Sequence, residues 1–367
     1  MSDQAQAFSA AIIGASGYTG AELARLLSDH PAIELAMITS RKDAGRRMSE
    51  FYPSLRGFVD LPYVDPQDPA VREQLLAHDI LFFATPHGVA QGMLAEFGKD
   101  VWQPGGPLIV DLSADFRITD IELWERWYGQ AHQAPQLVET AVYGLPELHR
   151  EKLKTARLIA CAGCYPTSVQ LGLAPLVEQD LVDCSTLIAN SASGITGAGR
   201  KADLSLLFTE NSDSFRPYAV SGHRHQPEIE QGLSRLSAEA GHKRSVTIDF
   251  VPHLLPAHRG ILSTIYARVG GEMGATGGRY QALFEERYAD EPFVDVLPAG
   301  SYPETRAVRG SNRLQISVTE RPSSNLLVIH VAEDNLCKGA SGQAIQCANL
   351  ALGLEETLGL TSPAMIV

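Results

Sequence analysis

The sequence predicts an α/β protein in two parts, a parallel sheet wrapped by helices on both faces and then a domain built on a mixed or antiparallel sheet. Three observations carry this. Short apolar strands alternate with helical patterns through the first part of the chain. A glycine-rich turn follows the first strand directly. From Thr186 onward, β-branched runs succeed one another with few helices between them.

The elements follow in order. Residues 10–13 form a short apolar strand, and Leu23, Leu26 and Leu27 define a helix that stops before Pro31. Strands are expected at 33–39, 80–84 and 108–110, the parallel set of the first domain. A further apolar run, Leu158 to Ala160, gives way to a helix on which Val169, Leu173, Leu176 and Val177 recur at helical spacing. In the second domain, strands are expected at 246–251, 261–269, 314–318 and 326–331. Residues 270–278, with five glycines, read as a mobile loop before a helix at 279–288. Near the end, Ile345, Ala348 and Leu352 share a helical face that suits packing back on the first domain.

The glycine turn is Gly14-Ala15-Ser16-Gly17-Tyr18-Thr19-Gly20, spacing G-x-x-G-x-x-G. Glycines there let backbone N–H groups approach a pyrophosphate at the following helix N-terminus, so the turn predicts dinucleotide binding. The second strand ends in Thr39-Ser40-Arg41-Lys42 instead of the acid that an NAD ribose favours. A hydroxyl and two cations suit a 2′-phosphate and point to NADP, with Asp43 the one discordant group. Thr85-Pro86-His87-Gly88 ends the third strand, where an open parallel sheet binds its ligands. Thr85 and Pro86 are therefore cofactor candidates, and His87 is either near the cofactor or a structural loop histidine.

Cys164, in Ala162-Gly163-Cys164-Tyr165-Pro166-Thr167, stands where a strand turns into a helix. A helix N-terminus favours a thiolate, which makes Cys164 a candidate nucleophile. Ser221-Gly222-His223-Arg224-His225-Gln226-Pro227-Glu228 offers the histidine such a thiol needs. On an extended segment, alternate residues face opposite ways, so only one of His223 and His225 is expected to point at Cys164. Arg117 in Asp111-Leu112-Ser113-Ala114-Asp115-Phe116-Arg117 is a cation after a strand, suited to phosphate or carboxylate. A small-residue stretch from Asn190 to Lys201 reads as a ligand-contacting loop, with Ser193 and Gly194 toward the cofactor and Ser191, Lys201 and His225 toward the substrate. No metal site is expected, because Cys161 and Cys164 lack a second spaced pair.

Composition narrows the classes. The chain has 367 residues, 44% apolar and 20% charged, with a net charge of −13, so nothing basic would draw in nucleic acid or an anionic membrane. Five cysteines suit a reducing compartment, no run reaches the ~20 apolar residues of a membrane helix, and Met1 to Ala7 reads as a polar tail. A cytoplasmic location is expected.

Assembled, these pieces resemble the N-acetyl-gamma-glutamyl-phosphate reductase family over nearly the whole chain. The carriers are the Gly14 turn, Gly163-Cys164-Tyr165-Pro166-Thr167, Gly222-His223-Arg224-His225-Gln226-Pro227-Glu228 and Glu333-Asp334-Asn335-Leu336-Cys337-Lys338-Gly339-Ala340. Related aspartate-semialdehyde dehydrogenases normally carry Asn before the nucleophile; here Gly163 stands there. The resemblance implies a Rossmann-type dinucleotide-binding domain, residues 1–163 completed by a C-terminal helix in 336–367. It implies a semialdehyde-dehydrogenase-like α+β catalytic and oligomerisation domain, 164–335, with a mixed, largely antiparallel sheet. It further implies an NADPH-dependent enzyme of arginine biosynthesis, with Cys164 as nucleophile and His223 as acid/base. Asn335, Gly339 and Gln343 then lie against the nicotinamide end, inorganic phosphate leaves, and the assembly is a homodimer or homotetramer. Three rivals stand beside it: a reductase of an aminoadipyl or aspartyl phosphate, an NADP-binding regulator without catalysis, and a zinc-binding interaction protein.

Overall fold

Runs such as residues 10–13, 80–83 and 108–110 have no polar face, so a sheet built from them must be covered on both sides. In the computed structural model, which describes residues 8–270 and 278–366, they lie at the centre of a seven-stranded, all-parallel sheet. Its strands are β1 (Phe8–Ile13), β2 (Ile33–Thr39), β3 (Tyr63–Val64), β4 (Ile80–Phe83), β5 (Leu108–Asp111), β6 (Val142–Gly144) and β7 (Leu158–Cys161). Their order is β3-β2-β1-β4-β5-β7-β6, so the chain reverses direction across the sheet between β1 and β4. The parallel sheet expected from the sequence is present. β3 and β6 were not expected, since two or three residues carry no readable period.

This sheet belongs to a unit formed by Met1–Ala162 and Ala340–Thr361. The C-terminal helix Gly342–Ala351 lies in it, against β5, β7 and helix Pro146–Leu153. The helix expected here is present, and residues from Gly342 to Leu350 are buried all round. Its amides are used inside the unit. Asn349 meets His30 at 3.2 Å, and Gln346 donates to Glu147 and Glu356 at 3.1 and 2.8 Å.

The second unit, Gly163–Gly339 with Ser362–Val367, holds a mixed sheet. Its strands are β8 (Leu187–Gly194), β9 (Arg216–Pro217), β10 (Ile248–Leu255), β11 (Ile261–Arg268), β12 (Val294–Val296), β13 (Leu314–Arg321) and β14 (Leu326–Glu333). The order is β12-β13-β14-β11-β8-β10-β9, parallel at β12/β13 and β8/β10 and antiparallel elsewhere. Strict alternation along β11 sends Ile261, Ser263, Ile265 and Ala267 inward. Helices Cys164–Glu178, Gln226–Glu239 and Arg279–Tyr288 cover that face. On the other face, a groove of about 500 Å³ is lined by Leu262, Thr264, Tyr266, Tyr302, Val328 and His330.

Two expectations are corrected here. Residues 221–228 are not extended: a turn leads into helix Gln226–Glu239, with Pro227 in its first turn and Ile229, Leu233 and Leu236 buried. The loop expected from Asn190 begins later, because β8 runs on to Gly194. The glycine stretch expected to be mobile falls mostly on 271–277, and the polar tail on 1–7; both lie outside the described residues.

Helix Cys164–Glu178 approaches the sheet closely at Gly172, where an added Cβ would stand 2.6 Å from Ile265 Cδ1 and 2.9 Å from Val331 Cγ2. Gly172→Val should therefore destabilise the protein by about 1–3 kcal/mol through overpacking. Urea unfolding followed by circular dichroism checks it, and an unchanged midpoint would count against this packing account.

Candidate functional site

Cys164 opens helix Cys164–Glu178, with Gly163 as an extended N-cap that has no side chain to bond the first turn. The Gly163 N–H donates instead to Glu228 Oε1 at 2.8 Å, and the Gly163 carbonyl accepts from the backbone and hydroxyl of Thr167 at 2.9 and 3.0 Å. Cys164 is partly exposed, whereas Cys161, Cys184, Cys337 and Cys347 are buried. Behind it the backbone of Gly339 comes so near that an added Cβ would lie 2.8 Å from Cys164 Cβ.

The histidines are both drawn to Tyr165, the residue after the thiol. Its ring meets His223 and His225 edge-on at 5.6 and 5.8 Å, and the two imidazoles meet each other at 4.9 Å. A turn, not the expected extended segment, presents them, and both rings pack on Tyr165. His223 is further enclosed by Tyr218 and Phe250, at 5.7 and 5.6 Å. Burial in this ring cage, with Arg224 adding to it, lowers its pKa from 6.5 to about 4. The backbone N–H of His225 donates to His223 Nδ1 at 3.1 Å, so the neutral ring carries its proton on Nε2. Tyr165 and Tyr218 share a hydrogen bond at 3.0 Å, and burial raises both phenols, Tyr218 to about 12.

The segment after β8 packs on the end of β14. Gly194 allows the backbone of His258 and Arg259 to pass, since a Cβ there would meet it at 2.7 Å. Asn335 accepts from the Gly260 N–H at 2.8 Å and donates to Thr196 Oγ1 at 3.0 Å. Ser193 bonds the Tyr165 hydroxyl, so Ser193, Gly194, Asn335 and Gly339 gather on the side of the unit that holds Cys164. Ser191 does not. It is fully buried, 2.7 Å from Ser263 Oγ, which in turn meets Ser168 at 2.8 Å; this serine chain ties helix to sheet and leaves no group for a ligand. Lys201 is exposed near Asp203.

In the first unit the three glycines have separate reasons. Gly14 has φ +86°, with Ala84 O 2.6 Å and Thr85 Cγ2 3.1 Å from where a Cβ would stand. Gly20 lies on Ala15, its Cβ position 2.5 Å from Ala15 Cα. A Cβ on Gly17 would make only ordinary contact, 3.8 Å from the Gly14 carbonyl oxygen, and Gly17 is the N-cap of helix Tyr18–Leu27, with no side chain bonding the first turn. These residues fit a pyrophosphate: backbone donors at an open helix start and no side chain in the way. Ser16 and Ser40 hydroxyls lie 3.1 Å apart, and Ser40 donates to Asp43 at 2.9 Å, which gives the discordant acid a partner. Arg41 and Lys42 stay exposed beside them, and Pro86 is exposed just past Thr85. Gln343 is buried in helix Gly342–Ala351, and Ser341 donates to the Thr19 carbonyl at 2.9 Å. His87 Nδ1 accepts the Ala114 N–H at 3.1 Å, and its ring packs on Tyr128.

Arg117 is turned inward, 6% exposed, and donates to the Leu112 carbonyl at 2.7 Å. It adjoins Asp111, whose carboxyl is pushed up to about 7 by burial and then by the charge of Asp115, against hydrogen bonds from Ser113. Sequence reasoning missed Glu228 as the partner of Gly163 and the cage around His223. A glutamate opening a helix after Pro227 was the readable hint of the first; nothing local signals the second. Among the described residues, no cluster of three or more His, Cys, Asp or Glu could hold a metal ion.

Comparison with known proteins agrees with this arrangement. Residues 9–156 match a family profile described as semialdehyde dehydrogenase, NAD binding domain, and 164–335 one described as semialdehyde dehydrogenase, dimerisation domain. Proteins named N-acetyl-gamma-glutamyl-phosphate reductase are similar throughout. The one from Saccharophagus degradans is 55% identical over 97% of this chain and 98% of its own length. Those from Cellvibrio japonicus and Pseudomonas aeruginosa are 52% and 51% identical, each over 97% of this chain and 99% and 98% of their own. Among solved structures, aspartate semialdehyde dehydrogenase II of Vibrio cholerae shares the fold, with TM-score 0.68 at 14% identity over 95% of this chain and 99% of that one. The Candida albicans enzyme with NADP does so at 0.65 and 15% over 94% and 98%.

The His223 cage sets a sign for acid stability. Below its ordinary 6.5 the unfolded chain takes up a proton that the folded protein refuses until about 4, so stability falls as pH drops through that window. Asp111 works the other way: raised to about 7, it gains its proton in the folded state first and adds stability as pH falls toward 3.8. The His223 part is isolated by difference. Thermal midpoints of His223→Asn should decline less between pH 6.5 and 4 than those of the unaltered protein, and parallel curves would refute the assignment.

Proposed function

We infer from one fact, that this chain belongs to the N-acetyl-gamma-glutamyl-phosphate reductase family, that it reduces N-acetyl-γ-glutamyl phosphate to N-acetylglutamate semialdehyde and releases phosphate, in arginine biosynthesis. The carrying observation is identity above one half along 97% of the chain. The aminoadipyl and aspartyl alternatives have no observation of their own, since the aspartate enzymes are alike in fold at 14–15% identity.

Cys164 is the nucleophile of this reading. Its place at the first turn of helix Cys164–Glu178 favours the thiolate, and its partial exposure admits a substrate. The thiolate sulfur bonds the acyl carbon, the carbon–oxygen bond to phosphate breaks, and a thioester remains on Cys164. NADPH, when bound, supplies the hydride that reduces the thioester carbon. It would be held by the backbone at Gly14, Ser16, Gly17 and Gly20 with Tyr18 and Thr19, by Ser40 and Arg41 at the 2′-phosphate, and by Thr85 and Pro86 beside Gly14; Ser193, Gly194, Asn335, Gly339 and Gln343 are assigned to the nicotinamide end.

His223 has the proton role, and its tautomer decides the form. With Nδ1 occupied by the His225 N–H, the neutral ring offers a donor at Nε2. It therefore hydrogen-bonds the oxyanion on the thioester carbon, and that bond strengthens as charge develops. Collapse of the thiohemiacetal restores the carbonyl and the Cys164 thiolate. Arg117 and Lys201 are assigned to the substrate anion, His225 to the substrate beside His223.

A homodimer is part of the proposal. The open face of the second sheet, with Leu262, Tyr266 and Val328 at its groove, needs a cover of matching shape, and the matched profile for 164–335 is described as a dimerisation domain. Five free thiols fit a cytoplasmic setting.

Two tests follow. Phosphate-dependent reduction of NADP by N-acetylglutamate semialdehyde, run beside NAD, should be abolished by Cys164→Ala. His223→Ala should cost about 10²–10⁴-fold, with His223→Gln, which keeps an N–H donor, less impaired. A fully active Cys164→Ala enzyme would end the thioester scheme. Separately, Tyr266→Arg places a charge on the open sheet face and should shift sedimentation toward monomer; an unchanged oligomer would put the interface elsewhere.

A further inference from the structure

Asp334 is fully buried, yet its carboxylate gathers four groups. Oδ1 accepts the backbone N–H of Leu336 at 2.8 Å and of Cys337 at 3.1 Å, and Oδ2 accepts that of Gly310 at 2.6 Å. Arg259 meets it with two prongs, Nε at 2.9 Å from Oδ2 and Nη2 at 3.0 Å from Oδ1. The Asp334 carbonyl accepts the Gly339 N–H at 2.9 Å, so the five-residue turn that follows Asp334 is closed by both its side chain and its backbone.

What this turn holds is the rear wall of the thiol. An added Cβ on Gly339 would stand 2.8 Å from Cys164 Cβ and 3.0 Å from Glu333 Oε1, so the turn backbone lies in van der Waals contact with the nucleophile's own side chain. The same turn aims Asn335 at Gly260 and Thr196. A shift of Asp334 therefore moves both at once.

We propose that Asp334 and Arg259 are positioning residues for the reduction: a buried ion pair that seats the 335–339 turn behind Cys164 and so fixes the direction of its Sγ, without touching the reacting atoms. Arg259 contributes more than charge. Its Nη2 also reaches Cys337 Sγ at 3.6 Å, inside the turn, and its backbone passes Gly194 on the opposite side. A planar fork fits two carboxylate oxygens and the turn together; an ammonium cannot.

The inference rests on Cys164 as nucleophile, and its test reads the thiol without turnover. Cys164 is the partly exposed cysteine among four buried ones, so iodoacetamide alkylation of the folded protein, located by peptide mass, reports its disposition. Asp334→Asn should lower kcat by about 10²-fold, the loss expected for a misplaced reacting group. KM for the acyl phosphate should change little, and alkylation of Cys164 should slow several-fold in protein that is folded by circular dichroism. Arg259→Lys, a second route should the first variant not fold, should show the same pattern in milder form. An unchanged kcat and alkylation rate in a folded variant overturns the proposal, as does a kcat loss matched by the unfolded fraction alone. Full activity of Cys164→Ala would instead overturn the nucleophile assignment, whatever Asp334 does.

Discussion

The N–H of Gly163 is buried and, as the group before a helix, has no partner from the helix itself. Left unpaired, it would cost about 1–3 kcal/mol. Glu228 accepts it at 2.8 Å, and this bond joins the start of helix Cys164–Glu178 to the start of helix Gln226–Glu239. Because Glu228 lies five residues after His223, the same contact that fixes the thiol's backbone fixes the histidine's turn. A carboxylate buried to 1% exposure is stable there only while it has such donors, so the arrangement is self-enforcing. The bond ties the seat of Cys164 to the turn that carries His223.

The second sheet serves that contact. Helix Cys164–Glu178 sits on β11 and β14 through Gly172, and the serine chain Ser168–Ser263–Ser191 gives it a polar tie in an otherwise apolar layer. The helix is buried along nearly all its length, which sets its axis and so the height of Cys164 above the sheet. β14 then ends in the Glu333-Asp334-Asn335 segment, and the rear wall of the site is continuous with the strand that supports the helix. Cys164 and this wall share one scaffold.

Much of this was legible in the residues. Apolar strands such as β1 and β4, the Gly14 turn and the β-branched runs of β11, β13 and β14 carry their pattern locally, and each is found where expected. The two-residue β3 and β9 carry no period, and their pairing is decided by partners far along the chain. The burial of Gln346 and Asn349 was not readable, because their partners, Glu147, Glu356 and His30, are out of local view. Ser191 looked like a ligand group for the same reason, with Ser263 lying 72 residues away. The extended reading of residues 221–228 fails because Gly222 and Pro227 together mark a turn and a helix start. Cys164 and His223 were readable as candidates; the direction in which His223 presents its proton was not, since it depends on one backbone N–H two residues on.

A net charge of −13 appears to oppose a protein whose cofactor and substrate both carry phosphate. The conflict is resolved by range. At physiological ionic strength the Debye length is about 8 Å, so charges spread over the surface are largely screened from a bound anion. What can act at contact is local: backbone N–H groups at the start of helix Tyr18–Leu27 and the exposed pair Arg41 and Lys42. Backbone donors also have no acidic form to lose, so anion binding built on them is indifferent to pH where the buried acids and His223 are not. An acidic surface thus repels polyanions, while local donors at a helix start suit small anions. The same physics explains why glycine, not lysine, dominates the cofactor turn: approach distance matters more there than charge.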